Sequence, residues 1–343
     1  MISVWIELSG RNPALARAEA ISAAEALGGT AESTVQGGTR QGRVLVQLPS
    51  HREVGALADR LALAHRCLVE VGGREGSLDK WFEEQGSHGQ SASFRELDHP
   101  GSEAADSKLP RWVEAYKRGG GRIDLRHPER RFWVGPSGDS APGAFEEVGA
   151  VDRSGFLARR LPNYPFQRPV TLDPRLARAA VNLARVRSGD RVVDPFVGTG
   201  SLLIEAALVG ARVTGIDREA SMVRGALQNF AHVGLVPETM TVGDSATIGK
   251  ESAGTYWDAL VTDPPYGRAS GTGREPVSDL LARTLPVWAG RIRSGGRIVI
   301  ISAGGEDSIS FPWTRVTAVS DRVHRSLTRE FRVYERAPGP TTP

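Results

Sequence analysis

The sequence predicts an α/β protein made of two differently organised parts. Short strands and helices alternate irregularly up to about residue 168. After Pro169, strand and helix alternate strictly, which is typical of a parallel sheet covered by helices on both faces. The chain has 343 residues, of which 40% are hydrophobic and 24% charged, enough to build two or three cores. We therefore expect an α+β N-terminal part followed by a doubly wound, Rossmann-like α/β part.

Residues 1–72 have the pattern strand, helix, strand, strand, helix, strand. Ile2–Leu8 alternates apolar and polar residues with a period of two. Pro13 then opens an alanine-rich helix that ends at Gly28. The remaining elements are expected at Arg43–Leu48, 53–65 and Cys67–Val71. This βαββαβ order is that of a ferredoxin-like domain.

The pattern between residues 73 and 168 is weaker. Glycine and proline are frequent after residue 135, which is typical of a linker. We therefore expect a small domain at 73–135 and a linker at 136–168. Within the small domain, strands are expected at Ser93–Leu97, Arg122–Leu125 and Arg131–Val134.

Residues 169–343 have the alternation of a parallel sheet with an antiparallel pair at its edge. The run Arg297–Ser302 has the uninterrupted apolar centre of a strand buried on both faces. The other parallel strands are expected at Arg191–Val193, Arg212–Ile216, Met240–Val242 and Ala259–Thr262, with helices at Ser201–Val209 and Glu219–Val233. The edge pair is expected at Thr314–Ser320 and Phe331–Tyr334.

The composition excludes several function classes. No run approaches the ~20 apolar residues that span a bilayer, and the N-terminus lacks the pattern of a signal peptide. Cys67 is the only cysteine, so no internal disulfide can form, and the seven histidines have no metal-ligand spacing. We therefore expect a cytoplasmic protein with no membrane partner and no metal site.

The charge balance is compatible with a nucleic-acid partner without indicating one. The 43 Lys and Arg residues against 40 Asp and Glu give a formal charge of +3. Only four of the basic residues are lysines, and arginine suits bidentate contacts with phosphates and base edges. A GC-rich genome would produce the same bias, so composition alone does not decide the partner.

A glycine-containing loop follows the first strand of the second part. Gly198 and Gly200 let the backbone approach a ligand closely and direct the N–H groups of a helix toward it. A dinucleotide-binding loop would have a third glycine where Leu203 stands, and the lysine of a phosphate-binding loop is missing. S-adenosylmethionine, which carries no phosphate, fits such a loop; a tight turn made for packing is the alternative. The candidate cofactor residues of this loop are Asp194, Pro195, Phe196, Gly198, Thr199 and Gly200.

Two further aspartates follow the next two strands. Asp217 stands where an acidic residue can bind ribose hydroxyls, and Asp244 stands where an adenine ring would be recognised. Each alone is as well explained as a helix cap or a turn residue. Because three aspartates end successive strands around one crevice, we predict a binding site for the nucleoside part of the cofactor.

The segment Asp263-Pro264-Pro265-Tyr266-Gly267 follows another strand. The exocyclic amine of guanine or adenine is a poor nucleophile because its lone pair is delocalised into the ring. A carboxylate and a fixed backbone carbonyl that accept its N–H groups can localise and orient that lone pair. The prolines hold the carbonyl in place, and Tyr266 offers a face on which an extruded base can stack. We therefore predict amino-group methylation, with Asp263, Pro264, Pro265 and Tyr266 as catalytic candidates.

With these motifs the second part resembles the class I, Rossmann-like methyltransferases that act on amino groups. The whole chain is similar to archaeal tRNA (guanine-N2)-methyltransferases that modify guanosine 10 and carry a THUMP domain. Besides the two motifs above, the resemblance rests on the segments Arg122–Pro128, Leu172–Arg178 and His324–Arg329.

The resemblance implies a role for each candidate residue. The loop from Asp194 to Gly200 would hold the methionine end of the cofactor, Asp217 its ribose and Asp244 its adenine. Asp263 and the Pro264 carbonyl would hold guanine N2. The ferredoxin-like and THUMP domains would bind tRNA by its acceptor end. The family also implies that a small zinc-binding activator subunit is a candidate partner, and DNA is not expected.

Two departures from the family pattern are visible. Val197 stands where relatives often have cysteine, which we expect to be harmless. The segment 168–171 is shorter than the family's Pro- and Phe-rich version, which bears on the shape of the lid over the cofactor.

A basic cluster interleaved with aromatic residues lies at 111–131. In an RNA-binding patch the arginines would contact phosphates and an aromatic ring would stack on a terminal base. In the alternative, the tryptophans are core and the arginines form a solvated surface. The RNA-binding candidates are Arg111, Lys117, Arg118, Arg126 and Arg130.

The sequence as a whole favours N2-methylation of a tRNA guanosine at position 10, giving the monomethyl and in a second transfer the dimethyl base. The nearest alternative keeps the chemistry and changes the site, to guanosine 6 of tRNA or to ribosomal RNA. Methylation of adenine in DNA or of glutamine in protein would use the same pocket without an RNA-binding half. A non-catalytic RNA-binding protein is the alternative of another class.

Overall fold

The computed structural model of the chain describes ten segments. These are residues 1–35, 42–72, 78–97, 109–137, 141–160, 162–169, 171–265, 275–303, 313–324 and 327–337. The chain divides into two compact units. Unit 1 contains residues 1–13, 27–59 and 64–151, and unit 2 contains residues 14–26, 60–63 and 152–343. Across the described segments, no helix combines the length and apolar character needed to cross a membrane.

Unit 1 is built on one eight-stranded sheet. Its strands are β1 (Ile2–Leu8), β2 (Thr30–Val35), β3 (Arg43–Leu48), β4 (Ala64–Gly72), β5 (Ser91–Glu96), β6 (Arg122–Ile123), β7 (Arg130–Ser137) and β8 (Ala141–Ala150). The helices of this part of the chain are α1 (Pro13–Ala26), α2 (His51–Arg60), α3 (Leu78–Gly86) and α4 (Leu109–Arg118). The sheet order is β2-β3-β1-β4-β8-β7-β5-β6, antiparallel except where β5 pairs in parallel with β6 and β7.

The predicted order of elements up to residue 72 is confirmed, but one helix ends earlier than expected. The sequence pattern extended the second helix to His65, whereas α2 ends at Arg60. The reason is the fully buried carboxylate of Glu19, which accepts the backbone N–H groups of Ala62 and Leu63 at 2.8 Å each. These peptides therefore bond to a side chain instead of continuing the helix.

The prediction of a linker at 136–168 is wrong for much of that segment. Its first half contains β8, which pairs with both β4 and β7, so Gly143 and Gly149 belong to a central strand. Gly149 faces Ala58 so closely that a Cβ would lie 2.5 Å from the alanine methyl. Gly149 therefore permits close packing and is not a sign of flexibility.

Two smaller expectations in unit 1 also change. The strand predicted at Arg122–Leu125 ends at Ile123, because the Asp124 carboxylate accepts the N–H groups of Arg126 and His127 and turns the chain.

Helix α3 lies where the sequence pattern was too weak for a prediction. It packs Phe82 into an aromatic core with Phe94, Trp112, Tyr116 and Phe132, so Trp112 is a core residue.

Unit 2 contains a seven-stranded sheet of the predicted kind. The strands are β9 (Arg191–Asp194), β10 (Arg212–Asp217), β11 (Thr239–Val242), β12 (Trp257–Thr262), β13 (Ile292–Ala303), β14 (Thr314–His324) and β15 (Leu327–Glu335). The helices are α5 (Arg153–Ala158), α6 (Pro174–Leu183), α7 (Ser201–Leu208), α8 (Ala220–His232), α9 (Ser245–Glu251) and α10 (Val277–Ala289).

The strand order of unit 2 indicates the edge of the sheet at which a ligand can bind. The order is β11-β10-β9-β12-β13-β15-β14, parallel from β11 to β13 and antiparallel between β13, β15 and β14. The chain runs outward from β9 in one direction and resumes at β12 on its other side. In such sheets the crevice outside the carboxyl ends, at this change of direction, is where ligands bind.

Glycine substitutions on two helices of unit 1 test the packing. In Gly86→Ala, the new methyl group would lie inside contact distance of the Tyr116 carbonyl oxygen on α4. We expect unit 1 to lose about 2–3 kcal/mol of stability, since neither helix backbone can yield. Gly55 lies inside α2 with nothing within 4 Å of its missing Cβ, so Gly55→Ala should gain ~0.5–1 kcal/mol through helix propensity. Urea unfolding of both variants measures the contrast, and equal effects would contradict this packing.

Candidate active site

Hydrogen bonds join four neighbouring strand ends along the carboxyl edge of the unit 2 sheet. The Thr262 hydroxyl, at the end of β12, donates to Asp194 Oδ1 at the end of β9 at 2.7 Å. The Gly198 N–H donates to Asp217 Oδ2 at the end of β10 at 3.0 Å. The Gly243 N–H, after β11, donates to the Asp217 carbonyl at 2.9 Å. The edge is therefore a connected polar surface on which the predicted residues Asp194 and Asp217 meet.

The glycine loop crosses this edge between β9 and α7. Gly198 and Gly200 have φ values of +51° and +85°, in the left-handed region that glycine adopts without strain. A Cβ at Gly200 would also lie 3.2 Å from Ala226 and 3.3 Å from Phe230 of α8. Gly200 precedes α7 and has no side chain to cap it, so N–H groups of the first turn are available to a ligand.

Asp194 is the buried anchor of the loop. Its side chain is 1% exposed and accepts from Thr262 and from the Phe196 N–H at 3.0 Å, both at Oδ1. Burial raises the pKa of Asp194 to about 7, although both hydrogen bonds act in the opposite direction. Burial therefore favours the protonated form of Asp194 far above the pH at which an exposed aspartate ionises.

Asp217 is less deeply buried and offers oxygen atoms to a ligand. It accepts the Glu219 N–H at 2.9 Å as well as that of Gly198, and burial raises its pKa. A carboxylate has about four lone-pair positions, so two backbone donors leave room for the hydroxyls of a ribose.

Asp244 is held by a cation that the sequence did not identify. Its carboxylate caps α9 through the Thr247 N–H and pairs with Arg283 through both oxygens, at 3.0 and 2.9 Å. The hydrogen bond from Arg283 holds the pKa of Asp244 at about 2. Arg283 also bonds Glu275 at 2.7 Å. Asp244 is thus a fixed carboxylate, and its contact with adenine stays a prediction.

Asp263 has an unusual environment directly after β12. Its Oδ1 is shielded from water and has no hydrogen-bond donor among the described residues. Burial raises the pKa of Asp263 to about 7, opposed by the positive charge of Arg329 and reinforced by the negative charge of Asp194. A shielded acceptor without a donor is costly unless a ligand supplies one. Pro264 is buried and Pro265 half-buried, while Tyr266 lies outside the described residues.

The predicted RNA-binding residues lie in unit 1 and differ in their availability. Arg111, Lys117 and Arg118 form exposed ion pairs with Asp79, Glu114 and Glu83, which contribute little to stability and can be exchanged for phosphates. Arg126 is exposed on the turn closed by Asp124.

Arg130 differs from the other RNA-binding candidates. It bonds Glu146 through two nitrogens and Gln85 through a third, at 2.8 Å each, and lies 4.6 Å from the centre of the Phe132 ring. Its guanidinium is therefore engaged within unit 1, and its contact with RNA stays a prediction.

Comparison with known proteins gives a matching family model and a similar fold. The UPF0020 family (RMKL-like, methyltransferase domain) matches residues 162–320. The crystal structure of TrmN from Thermus thermophilus aligns over 97% of this chain and 99% of that one, with a TM-score of 0.50 and 21% identity, which supports the fold alone.

Relatives named tRNA (guanine(10)-N2)-dimethyltransferase match at higher identity. The Methanothermobacter thermautotrophicus protein is 36% identical over 55% of this chain and 56% of its own length. The Pyrococcus abyssi protein is 33% identical over 62% of this chain and 64% of its own length. A Methanothermococcus thermolithotrophicus sequence, named as a probable member, is 30% identical over 47% of this chain and 98% of its own length.

The chain belongs to the tRNA (guanine(10)-N2)-dimethyltransferase family. It spans between about half and two thirds of the length of the first two relatives, at 56% and 64%. The resemblance seen in the glycine loop and in the Asp263 motif is therefore confirmed at the level of the family.

The sequence reasoning missed three side chains that hold the candidate site together. Thr262 bonds Asp194, Arg283 fixes Asp244, and Asn229 bonds the carbonyl of Thr199 in the glycine loop at 3.0 Å. Thr262 directly precedes the Asp263 motif, which is the one signal that could have found it.

Asp194→Asn tests the buried carboxylate through the pH dependence of stability. The raised pKa means that the folded protein keeps a proton between pH ~4 and ~7 that the unfolded chain has released, so Asp194 costs stability as the pH rises through this window. An Asn Oδ1 can accept both existing hydrogen bonds. We therefore expect Tm to fall less between pH 5 and pH 8 in the variant than in the wild type, by about 2–4 °C for each kcal/mol recovered. Parallel Tm profiles would contradict this assignment.

Proposed function

We propose that the chain uses S-adenosylmethionine to methylate the exocyclic N2 of a guanosine in tRNA, at position 10. The observation that carries the proposal is the Asp263 carboxyl oxygen that is shielded from water and has no donor among the described residues. The amine of a guanine base would supply that donor. The curated relatives named for guanosine 10 support the base and the position.

The residues along the strand ends fit S-adenosylmethionine. The glycine loop can approach the methionine end closely, with N–H groups of α7 available to its carboxylate. Asp217 keeps lone pairs for the ribose hydroxyls, and Asp244 is a fixed carboxylate for the adenine amine. When bound, the cofactor would supply a sulfonium methyl group that the N2 lone pair attacks in line.

Asp263 would have two tasks in this reaction. As a carboxylate it accepts one N2–H while the Pro264 carbonyl accepts the other, which draws the lone pair out of the ring and orients it. After the new N–C bond forms, N2 must release a proton. A carboxylate with a pKa of about 7 can take that proton and pass it to water near neutral pH.

Unit 1 would supply the contacts with tRNA. We propose that its sheet comprises the ferredoxin-like and THUMP domains, at 1–72 and 73–135, and that Arg111, Lys117, Arg118 and Arg126 contact phosphates. The exposed positions of these side chains support the proposal. A zinc-binding activator subunit stays a prediction.

The test is methyl transfer from labelled S-adenosylmethionine to an unmodified tRNA transcript, followed by nuclease mapping and mass spectrometry. We expect N2-methylguanosine at position 10 and no label in a transcript with adenosine there. Label only at guanosine 6 or only in ribosomal RNA would contradict position 10 as the target, while guanine-N2 methylation would still be supported. Absence of S-adenosylmethionine binding would favour a non-catalytic RNA-binding protein.

Asp263→Ala separates catalysis from cofactor binding in this assay. We expect kcat to fall by about two to three orders of magnitude, because the orientation of the N2 lone pair is lost in the transition state. The affinity for S-adenosylhomocysteine, which is bound by other residues, should change little in calorimetry. Turnover within a few-fold of the wild type would contradict the role of Asp263.

The pH profile of kcat/KM tests the charge state of Asp263. The carboxylate is the active form, so activity should rise with pH through about 7, the pKa of the buried group. Asp194 titrates in the same range, so the profile is also measured in Asp194→Asn, where the rise should persist. A flat profile from pH 6 to pH 8 in both proteins would contradict this mechanism.

A further inference from the structure

A single buried amide joins the glycine loop to another segment of the chain, residues 162–169. Asn229 lies on α8 and is 1% exposed. Its Nδ2 donates to the Thr199 carbonyl at 3.0 Å and to the Phe166 carbonyl at 2.9 Å, and its Oδ1 accepts the Phe166 N–H at 3.0 Å. Both hydrogens and the oxygen of the amide are therefore used on the backbone of two other chain segments.

The first of these segments, residues 162–169, packs against α8. The Phe166 ring lies directly on Gly225, where a Cβ would overlap the ring. Tyr164 packs edge-on against His232 at 6.0 Å between ring centres, and the Arg168 guanidinium lies 4.7 Å from the centre of the Phe166 ring. The stretch 168–171, in which the family pattern is shortened, begins at the end of this segment.

The second segment is the glycine loop itself. The peptide between Thr199 and Gly200 is held at both ends, because its carbonyl accepts from Asn229 and its N–H donates to the Val197 carbonyl at 2.8 Å. The plane of this peptide sets the direction of the first free N–H groups of α7. Losing the Asn229 bond would release the carbonyl side while the rest of the loop stays in place.

We infer that Asn229 is a positioning residue for the cofactor, which fixes the glycine loop and the segment 162–169 as one continuous wall. This inference rests on the proposed use of S-adenosylmethionine. Asn229 acts through the backbone of Thr199 and Phe166, so its removal should weaken cofactor binding more than the subsequent chemical step.

Unit 2 contains a matched control for this amide. Asn182 on α6 is 0% exposed, and its Nδ2 donates to Glu19 at 2.8 Å and to the Arg60 carbonyl at 3.0 Å. Its Oδ1 accepts from Arg60 Nε at 2.9 Å. The two asparagines have the same burial and the same number of bonds, but none of the bonds of Asn182 reaches the glycine loop.

The experiment compares Asn229→Leu with Asn182→Leu in the full-length chain. Both variants lose three buried hydrogen bonds, so both should have a lower Tm. Calorimetry with S-adenosylhomocysteine should give a Kd raised about tenfold or more for Asn229→Leu and within about twofold of the wild type for Asn182→Leu. In the tRNA assay, the KM for S-adenosylmethionine should rise in Asn229→Leu while kcat at saturation falls by less.

A conservative variant keeps the test decisive if Asn229→Leu does not fold. Asn229→Asp keeps the size and the acceptor for the Phe166 N–H but turns a carboxylate oxygen toward the two carbonyls. Asn229→Asp, like Asn229→Leu, should raise the Kd for S-adenosylhomocysteine. Wild-type affinity in the Asn229 variants, or an equal loss in Asn182→Leu, would overturn the inference. Failure of the wild type itself to bind would instead overturn the proposed function.

Discussion

The carboxyl edge of the unit 2 sheet depends on a carboxylate that has almost no access to water. Asp194 is kept in place by the Thr262 hydroxyl and the Phe196 N–H, and through them it aligns the ends of β9 and β12. Apolar packing of the same volume would avoid the desolvation that raises its pKa to about 7. The edge is thus organised by directional bonds, which hold the start of the glycine loop beside the strand end that precedes Asp263. Directional bonds fix orientation in a way that apolar contacts do not.

Buried arginines account for part of the arginine-rich composition. The fully buried Glu205 on α7 lies between Arg159 at 2.6 Å and Arg178 at 2.8 Å. Arg297 is similarly enclosed and bonds the Leu183 carbonyl at 3.0 Å and Glu335 at 3.0 Å. A planar guanidinium can satisfy several buried acceptors at once, which lysine cannot do. These residues serve the interior of unit 2.

The sequence predicted most strands of unit 2 because its glycine stops and apolar runs are local signals. The candidates Asp194, Asp217 and Asp263 were identified for the same reason, since the first two end their strands and the third directly follows its strand. The helix end at Arg60 was missed because it depends on Glu19, whose partners Ala62 and Leu63 lie 43 and 44 residues away. Thr262, Arg283 and Asn229 were missed likewise, since their partners lie 68, 39 and 30 residues away. Strand β8 was mistaken for a linker because close packing and flexibility both favour glycine.

Unit 2 includes two stretches from the N-terminal part of the chain, so no single point in the sequence separates the two units. Helix α1 and residues 60–63 belong to the methyltransferase-like unit, although β1 to β4 on either side of them belong to unit 1. A fragment that starts at Asp152 would leave the Asn182 amide without Glu19 and Arg60, and Arg297 without Ser22. Recombination that exchanged the first 150 residues for another domain would face the same loss. The two units therefore have to be inherited together, with their shared stretch of chain acting as a barrier to modular shuffling.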